Sequence, residues 1–282
     1  MKTFTFLVIL TTVTATNAFF FNLVDYFSRD NWNALRVRFG LNPLESNFDA
    51  LPRTVDDAVE NKFTKISGCE DIDSFRGNRY VKDGDYAIVL LYDVQGYIAG
   101  IQAGVPDGQE NKYPFDGIKP PFIHENGYNY ITAYFVDPST ICKTGRSSSD
   151  FEDSGTGTNL YFQNGNSPET DHMLIPRDEA AIGDPKWKKG KCFAGMGVHY
   201  WYDARTDTDC QAFFPAFLLY NKGKLNGFGW AFTTNLTSPR YEHPDPSVFE
   251  TFISEVPKCL YTVGKISTMH IYMTDTPQLN LC

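Results

Sequence analysis

The stretch Ala212-Phe213-Phe214-Pro215-Ala216-Phe217-Leu218-Leu219-Tyr220-Asn221-Lys222-Gly223-Lys224-Leu225-Asn226-Gly227-Phe228-Gly229-Trp230-Ala231-Phe232-Thr233 decides the fold. An apolar run reaches Tyr220, Asn221-Lys222-Gly223 supplies turn chemistry, and a second apolar run returns from Lys224 to Thr233. This is the signature of a β-hairpin. Strand side chains alternate between faces, so Phe228, Trp230 and Phe232 share one face and Gly227, Gly229 and Ala231 share the other. Large rings alternating with small residues suit a curved sheet wrapped around an interior.

Similar runs flank this hairpin. Tyr86 to Tyr92 and residues 97–101 read as a hairpin around Asp93-Val94-Gln95-Gly96, and Tyr128 to Val136, residues 158–163, Cys192 to Tyr202 and Ile266 to Thr274 read as further strands. Three helices are expected. One runs from a cap at Asp30 through Leu35 and Val37 to Phe39, with Gly40 as its stop. A second starts near Pro52 or Thr54, with Val55, Ala58, Val59, Phe63 and Ile66 on one stripe. The third covers 245–256, with Asp245 as N-cap, Pro246 at the first helical position, a stripe of Val248, Phe249, Phe252, Ile253 and Val256, and Pro257 as its end. The predicted class is a β-rich α+β fold. Roughly eight to ten antiparallel strands form a barrel or closed sandwich, with N-terminal helices and one late helix covering a face or an end.

The first eighteen residues set the compartment. Lys2, a short apolar run from Phe4 to Val13, and Thr16-Asn17-Ala18 make a secretory signal peptide with cleavage after Ala18. The expected organisation is a signal peptide at 1–18, a helical segment at 19–68 packed on the sheet, and a β-rich domain at 69–282. Within that domain, the polar Ser/Gly-rich stretch 143–158 is expected to be mobile. In a secreted chain the even set Cys69, Cys142, Cys192, Cys210, Cys259 and Cys282 predicts three disulfides, for which about 15 connectivities exist. Proximity in sequence favours Cys192–Cys210 and Cys259–Cys282, leaving Cys69–Cys142. Asn235-Leu236-Thr237 is a glycosylation sequon.

The net charge of −9 argues against nucleic acid as a partner. Outside the signal no stretch approaches the roughly 18 apolar residues of a membrane span. The basic run Lys186, Lys188, Lys189 and Lys191 reads as a solvated loop, or alternatively as a heparin-like or processing site.

Candidate chemistry concentrates in two strands. In Gly195-Met196-Gly197-Val198-His199-Tyr200-Trp201-Tyr202-Asp203, alternation puts His199, Trp201 and Asp203 on one face. In Thr268-Met269-His270-Ile271-Tyr272-Met273, His270 and Tyr272 share a face. If the two strands are neighbours the histidines converge, and His243 can join them. Three readings follow. His199, His243 and His270 could form a metal site, although no HxH or HxxxH spacing is present. His199 or His270 could act as an acid or base, oriented by Asp203 or Asp275. Or the histidines simply hydrogen-bond within the sheet. No Gly-x-Ser-x-Gly and no phosphate loop occurs, and no motif names a cofactor. Asp203, Asp207 and Asp209 read as a turn rather than a calcium loop. Phe and Tyr are abundant, at 23 and 16 residues, so the aromatics are the second lead. Trp201, Phe228, Trp230, Phe232 and Tyr272 are the candidates for lining a pocket for a small apolar or aromatic ligand. The leading expectation is a secreted binding protein with such a ligand in a β-barrel cavity. The alternatives are a secreted enzyme around His199 and His270, and an extracellular structural protein.

Overall fold

The computed structural model describes residues 32–37, 49–71 and 74–282. The signal peptide lies outside the described residues, as do Asp30 and Phe39 at the two ends of the expected first helix; its described part, 32–37, is not helical and holds the strand Arg36–Val37. Among the described residues the chain forms strands β1 (Arg36–Val37), β2 (Asp49–Ala50), β3 (Phe63–Ser67), β4 (Asn78–Lys82), β5 (Val89–Tyr92), β6 (Ile98–Pro106), β7 (Ile123–Glu125), β8 (Tyr128–Tyr134), β9 (Leu160–Gln163), β10 (His172–Ile175), β11 (Trp187–Phe193), β12 (Gly197–Tyr202), β13 (Ala216–Asn221), β14 (Lys224–Phe232) and β15 (Ser267–Tyr272).

They make two antiparallel sheets. One has seven strands in the order β11-β12-β13-β14-β15-β1-β2; the other has eight, ordered β10-β9-β8-β6-β5-β4-β3, with β7 added to β8. The β13–β14 hairpin stands where the sequence puts it. Asn221 pairs with Lys224, and the two-residue loop takes positive φ at Lys222 (50°) and Gly223 (76°), the backbone that matches strand twist.

The sheets share one core. Ile101, Ile131 and Phe162 of the eight-stranded sheet cluster with Leu218, Phe228, Trp230, Met269 and Ile271 of the seven-stranded sheet. The Phe162 ring lies 5.6 Å from both Phe228 and Trp230. Burying such side chains stabilises the sandwich by roughly 1.5–3 kcal/mol each.

Several expectations need correction. The barrel does not close: β11 and β2 remain edges of one sheet, and β10 and β3 of the other. The segment 19–68, expected to be helical, carries three strands, β1, β2 and β3, and one short helix where it is described. Arg36 and Val37 pair with Tyr272 and Ile271. The second helix spans only Val55–Glu60; Lys62 then takes φ 67° and Phe63–Ser67 pairs with β4. Its β-branched Thr64 and Ile66 suit that strand better than a helix.

The late helix is a 3-10 turn, Pro246–Thr251, although Asp245 caps it as expected by accepting from the Ser247 N–H at 2.9 Å. The turn stops because the Phe252 carbonyl accepts from the Lys191 N–H (3.2 Å) and Trp201 Nε1 (3.3 Å), which removes it from a helical ladder.

The stretch 143–158 is not a loose loop. It holds a helix at Ser148–Ser154 with a Ser147/Asp150 capping box. Arg146 is buried beside Asp93, and Phe151 stacks on Tyr97 at 4.6 Å. Cys192 to Tyr202 is two strands, not one, turning at 194–196 with positive φ at Gly195 and Gly197. Lys188, Lys189 and Lys191 lie on edge strand β11 rather than in a loop.

Three disulfides form: Cys69–Cys142, Cys192–Cys282 and Cys210–Cys259. The local pairs Cys192–Cys210 and Cys259–Cys282 do not form. Cys192 sits opposite Val198 near the start of β12 and Cys210 follows its far end, and they bond instead to Cys282 and Cys259. No helix among the described residues is long and apolar enough to cross a membrane.

Candidate functional site

The sandwich core takes one face of the seven-stranded sheet, and the candidate site lies on the other. Register sets its floor. Trp201 pairs with Phe217, Phe217 with Gly229, and Gly229 with His270; on the next rung, His199 pairs with Leu219, Leu219 with Gly227, and Gly227 with Tyr272. Two strands separate β12 from β15, yet the His199 and His270 rings stand 6.0 Å apart at 86°. Gly229 is what permits this. A Cβ there would fall 2.1 Å from the Phe217 ring and 2.5 Å from the Met269 carbonyl, so only glycine lets the Phe217 ring lie across β14. That ring sits 5.6 Å from His199 and 5.0 Å from His270.

The connection from β14 to β15 forms a wall over this floor. Glu242 exchanges backbone hydrogen bonds with Thr268 at 2.8 and 2.9 Å. That pairing brings its carboxylate to His270, whose Nδ1 lies 2.5 Å from Glu242 Oε2. His243 Nδ1 donates to the Ile266 carbonyl at 2.9 Å. Phe249, Ile253 and Leu260 bury themselves against the sheet, and Cys210–Cys259 ties this wall to the β12–β13 connection. The opposite wall is the β11–β12 turn, held by Cys192–Cys282 and by the Gly195 N–H donating to the Asn280 carbonyl.

Between the walls is a cavity of about 380 Å³. Its apolar lining is Phe193, Met196, Trp201, Phe217, Val248 and Phe252, together with Pro244. Its polar lining is His199, His243, His270, Glu242, Asp245 and Thr268. No lysine or arginine lines it among the described residues.

His199 and His270 differ in environment. His199 is buried under rings, and its Nδ1 makes no hydrogen bond among the described residues. Burial, followed by the nearby charge of His270, pulls its pKa down to about 3, so the ring is neutral at ordinary pH. His270 is held instead by a carboxylate. A histidine that donates Nδ1–H to a carboxylate keeps Nε2 as its basic nitrogen, the arrangement used for proton transfer.

The structure therefore brings together His199, His243, His270 and Trp201. It does not bring Asp203, which takes φ 50° in the turn after β12 and pairs with Arg205. Asp275 does not orient a histidine either; its N–H donates to Asn33 Oδ1. Tyr272 lies beside the site, buried and stacked under His270 at 6.1 Å. Phe228, Trp230 and Phe232 face the sandwich core and do not line the cavity. The metal reading lacks its geometry: among the described residues, no three His, Cys, Asp or Glu side chains gather to hold an ion. Asn235 is exposed, as a sequon requires.

Glu242, Asp245, Phe252 and Met196 line the cavity without having been singled out as site residues by the sequence. The signal for Glu242 was the dense polar run Glu242-His243-Pro244-Asp245 beside a strand end. No family model, curated protein or solved structure matches the chain.

Proposed function

We propose that this chain is a secreted binding protein that holds a small, largely apolar or aromatic molecule on the outer face of the seven-stranded sheet. The observation that carries this reading is the cavity of about 380 Å³, lined by Phe193, Trp201, Phe217 and Phe252 together with a few polar side chains. Its size lies within the range of about 300–1,000 Å³ usual for small-molecule sites. Secretion rests on the signal-peptide reading and agrees with three disulfides and an exposed sequon.

Native mass spectrometry of the protein secreted from eukaryotic cells, before and after solvent extraction, tests it. The expected result is an organic adduct lost on extraction. It should be absent from Val248→Trp, which places a large ring at the half-exposed mouth. A bare mass, with no change in Trp201 fluorescence for neutral, cationic or anionic aromatic probes, overturns the reading.

A second reading rests on the 2.5 Å contact of His270 with Glu242, which favours acid–base chemistry on whatever the cavity holds. Hydrolysis of small aryl esters that His270→Ala abolishes would favour it. Turnover equal in both proteins would remove it.

A further inference from the structure

The binding reading can be carried to the chemical class of the ligand. The carboxylates of the lining are already engaged within the protein. Asp245 is exposed, and its Oδ1 accepts from the Ser247 N–H at 2.9 Å. Glu242 is half-buried; its carboxylate accepts from Thr268 Oγ1 at 3.4 Å and stands 2.5 Å from His270 Nδ1. The floor has another character. Trp201, Phe217 and His199 are buried there, and burial keeps the His199 ring neutral at ordinary pH. These rings also share an orientation. The His199 plane lies 7° from that of Trp201 and 28° from that of Phe217. Phe252, from the wall, lies 33° from His199 and 31° from Trp201.

A charged guest on this floor would give up its hydration for little return. An anion meets no lysine or arginine among the described lining residues. An ammonium meets carboxylates that already accept hydrogen bonds, and the charge of exposed Asp245 is screened by water and salt. A flat ring parallel to this set makes offset-stacked contacts with several rings at once, which a puckered ring of equal size does not. We propose, resting on the binding reading above, that the ligand is an uncharged planar aromatic molecule, seated ring to ring against Trp201, Phe217 and Phe252 and recognised by shape rather than by charge.

Four compounds of similar outline separate the classes by calorimetry at pH 7: 2-naphthylethanol, its ring-saturated analogue, 2-naphthylethylamine as cation and 2-naphthylacetate as anion. The aromatic alcohol is expected to bind tightest, about tenfold or more ahead of the amine and the acid. It should lead the saturated alcohol by about three- to tenfold. Phe252→Leu removes one ring and keeps the backbone carbonyl that Lys191 and Trp201 use. It should cut the lead over the saturated alcohol by about twofold or more and leave the lead over the amine and the acid in place.

An amine, acid or saturated alcohol that binds as tightly as 2-naphthylethanol overturns the assignment and leaves the binding reading standing. A lead over the saturated alcohol that Phe252→Leu does not reduce overturns it too. If none of the four binds but an extractable adduct is found on the secreted protein, the assignment falls alone. If neither is seen, both fall.

Discussion

Gly229 is the residue on which the site depends most. It carries no chemistry, but it lets Phe217 cross β14 and so brings groups from β12 and β15 within reach of each other. Gly229→Ala is expected to cost about 1–3 kcal/mol in urea denaturation, because the nearest obstacles include the fixed Met269 carbonyl as well as the Phe217 ring. An unchanged midpoint would show that the sheet yields more easily than this packing implies. His199 gives a second expectation. Its folded pKa of about 3 lies far below the ordinary 6.5, so above pH 6.5 both folded and unfolded chains hold the ring neutral and nothing is lost. Below pH 6.5 the unfolded chain takes up a proton that the folded chain refuses, and stability falls by up to about 1.4 kcal/mol per pH unit toward pH 3. Denaturation at pH 7 and pH 5 should show this loss in the parent, and a smaller loss in His199→Phe. Strand alternation made His199 and Trp201 legible as one face. It misled at Asp203, where positive φ ends the strand and turns the side chain toward Arg205. Glu242 was illegible as the partner of His270 because the contact spans 28 residues and depends on a single bridge to Thr268.

At the scale of elements, the strands supply the floor of the site and the connections supply its walls. The β14–β15 connection is tied down by Cys210–Cys259, which closes a 49-residue separation. Replacing both cysteines with serine is expected to cost about 2–4 kcal/mol in denaturant melts. It should also diminish the extractable adduct expected in native mass spectrometry, since one wall of the cavity loses its tether. Undiminished binding would place that wall's stability in Phe249, Ile253 and Leu260 instead. Caps were legible here and lengths were not. Asp245-Pro246 starts a helical turn as its chemistry dictates, and Thr54 caps Val55–Glu60. What ended those helices was tertiary: the Phe252 carbonyl is taken by Lys191 and Trp201, and Phe63–Ser67 by β4. The Ser147/Asp150 capping box was present in a stretch read as mobile. Its order comes from Arg146 and Phe151, whose partners Asp93 and Tyr97 are far away in sequence.

For the whole molecule, aromatic and glycine alternation identified curved antiparallel sheet but could not tell a closed barrel from a sandwich. Phe228, Trp230 and Phe232 would face inward in either, and only the free edges at β11, β2, β10 and β3 decide. Open edges need protection against pairing with other chains, and Lys188, Lys189 and Lys191 provide it along β11. Replacing all three with threonine is expected to leave the denaturation midpoint nearly unchanged and to raise light scattering with time. A triple variant that stays monodisperse would show that the bulge between Lys189 and Cys192 is protection enough. The cystines have a consequence of another kind. Each wall of the cavity hangs on its own disulfide, while the third, Cys69–Cys142, ties connections of the eight-stranded sheet away from the cavity. In a reducing medium both walls would lose their tethers while the apolar interior between the sheets stayed buried, so the shape of this outer face answers to the redox state of its surroundings.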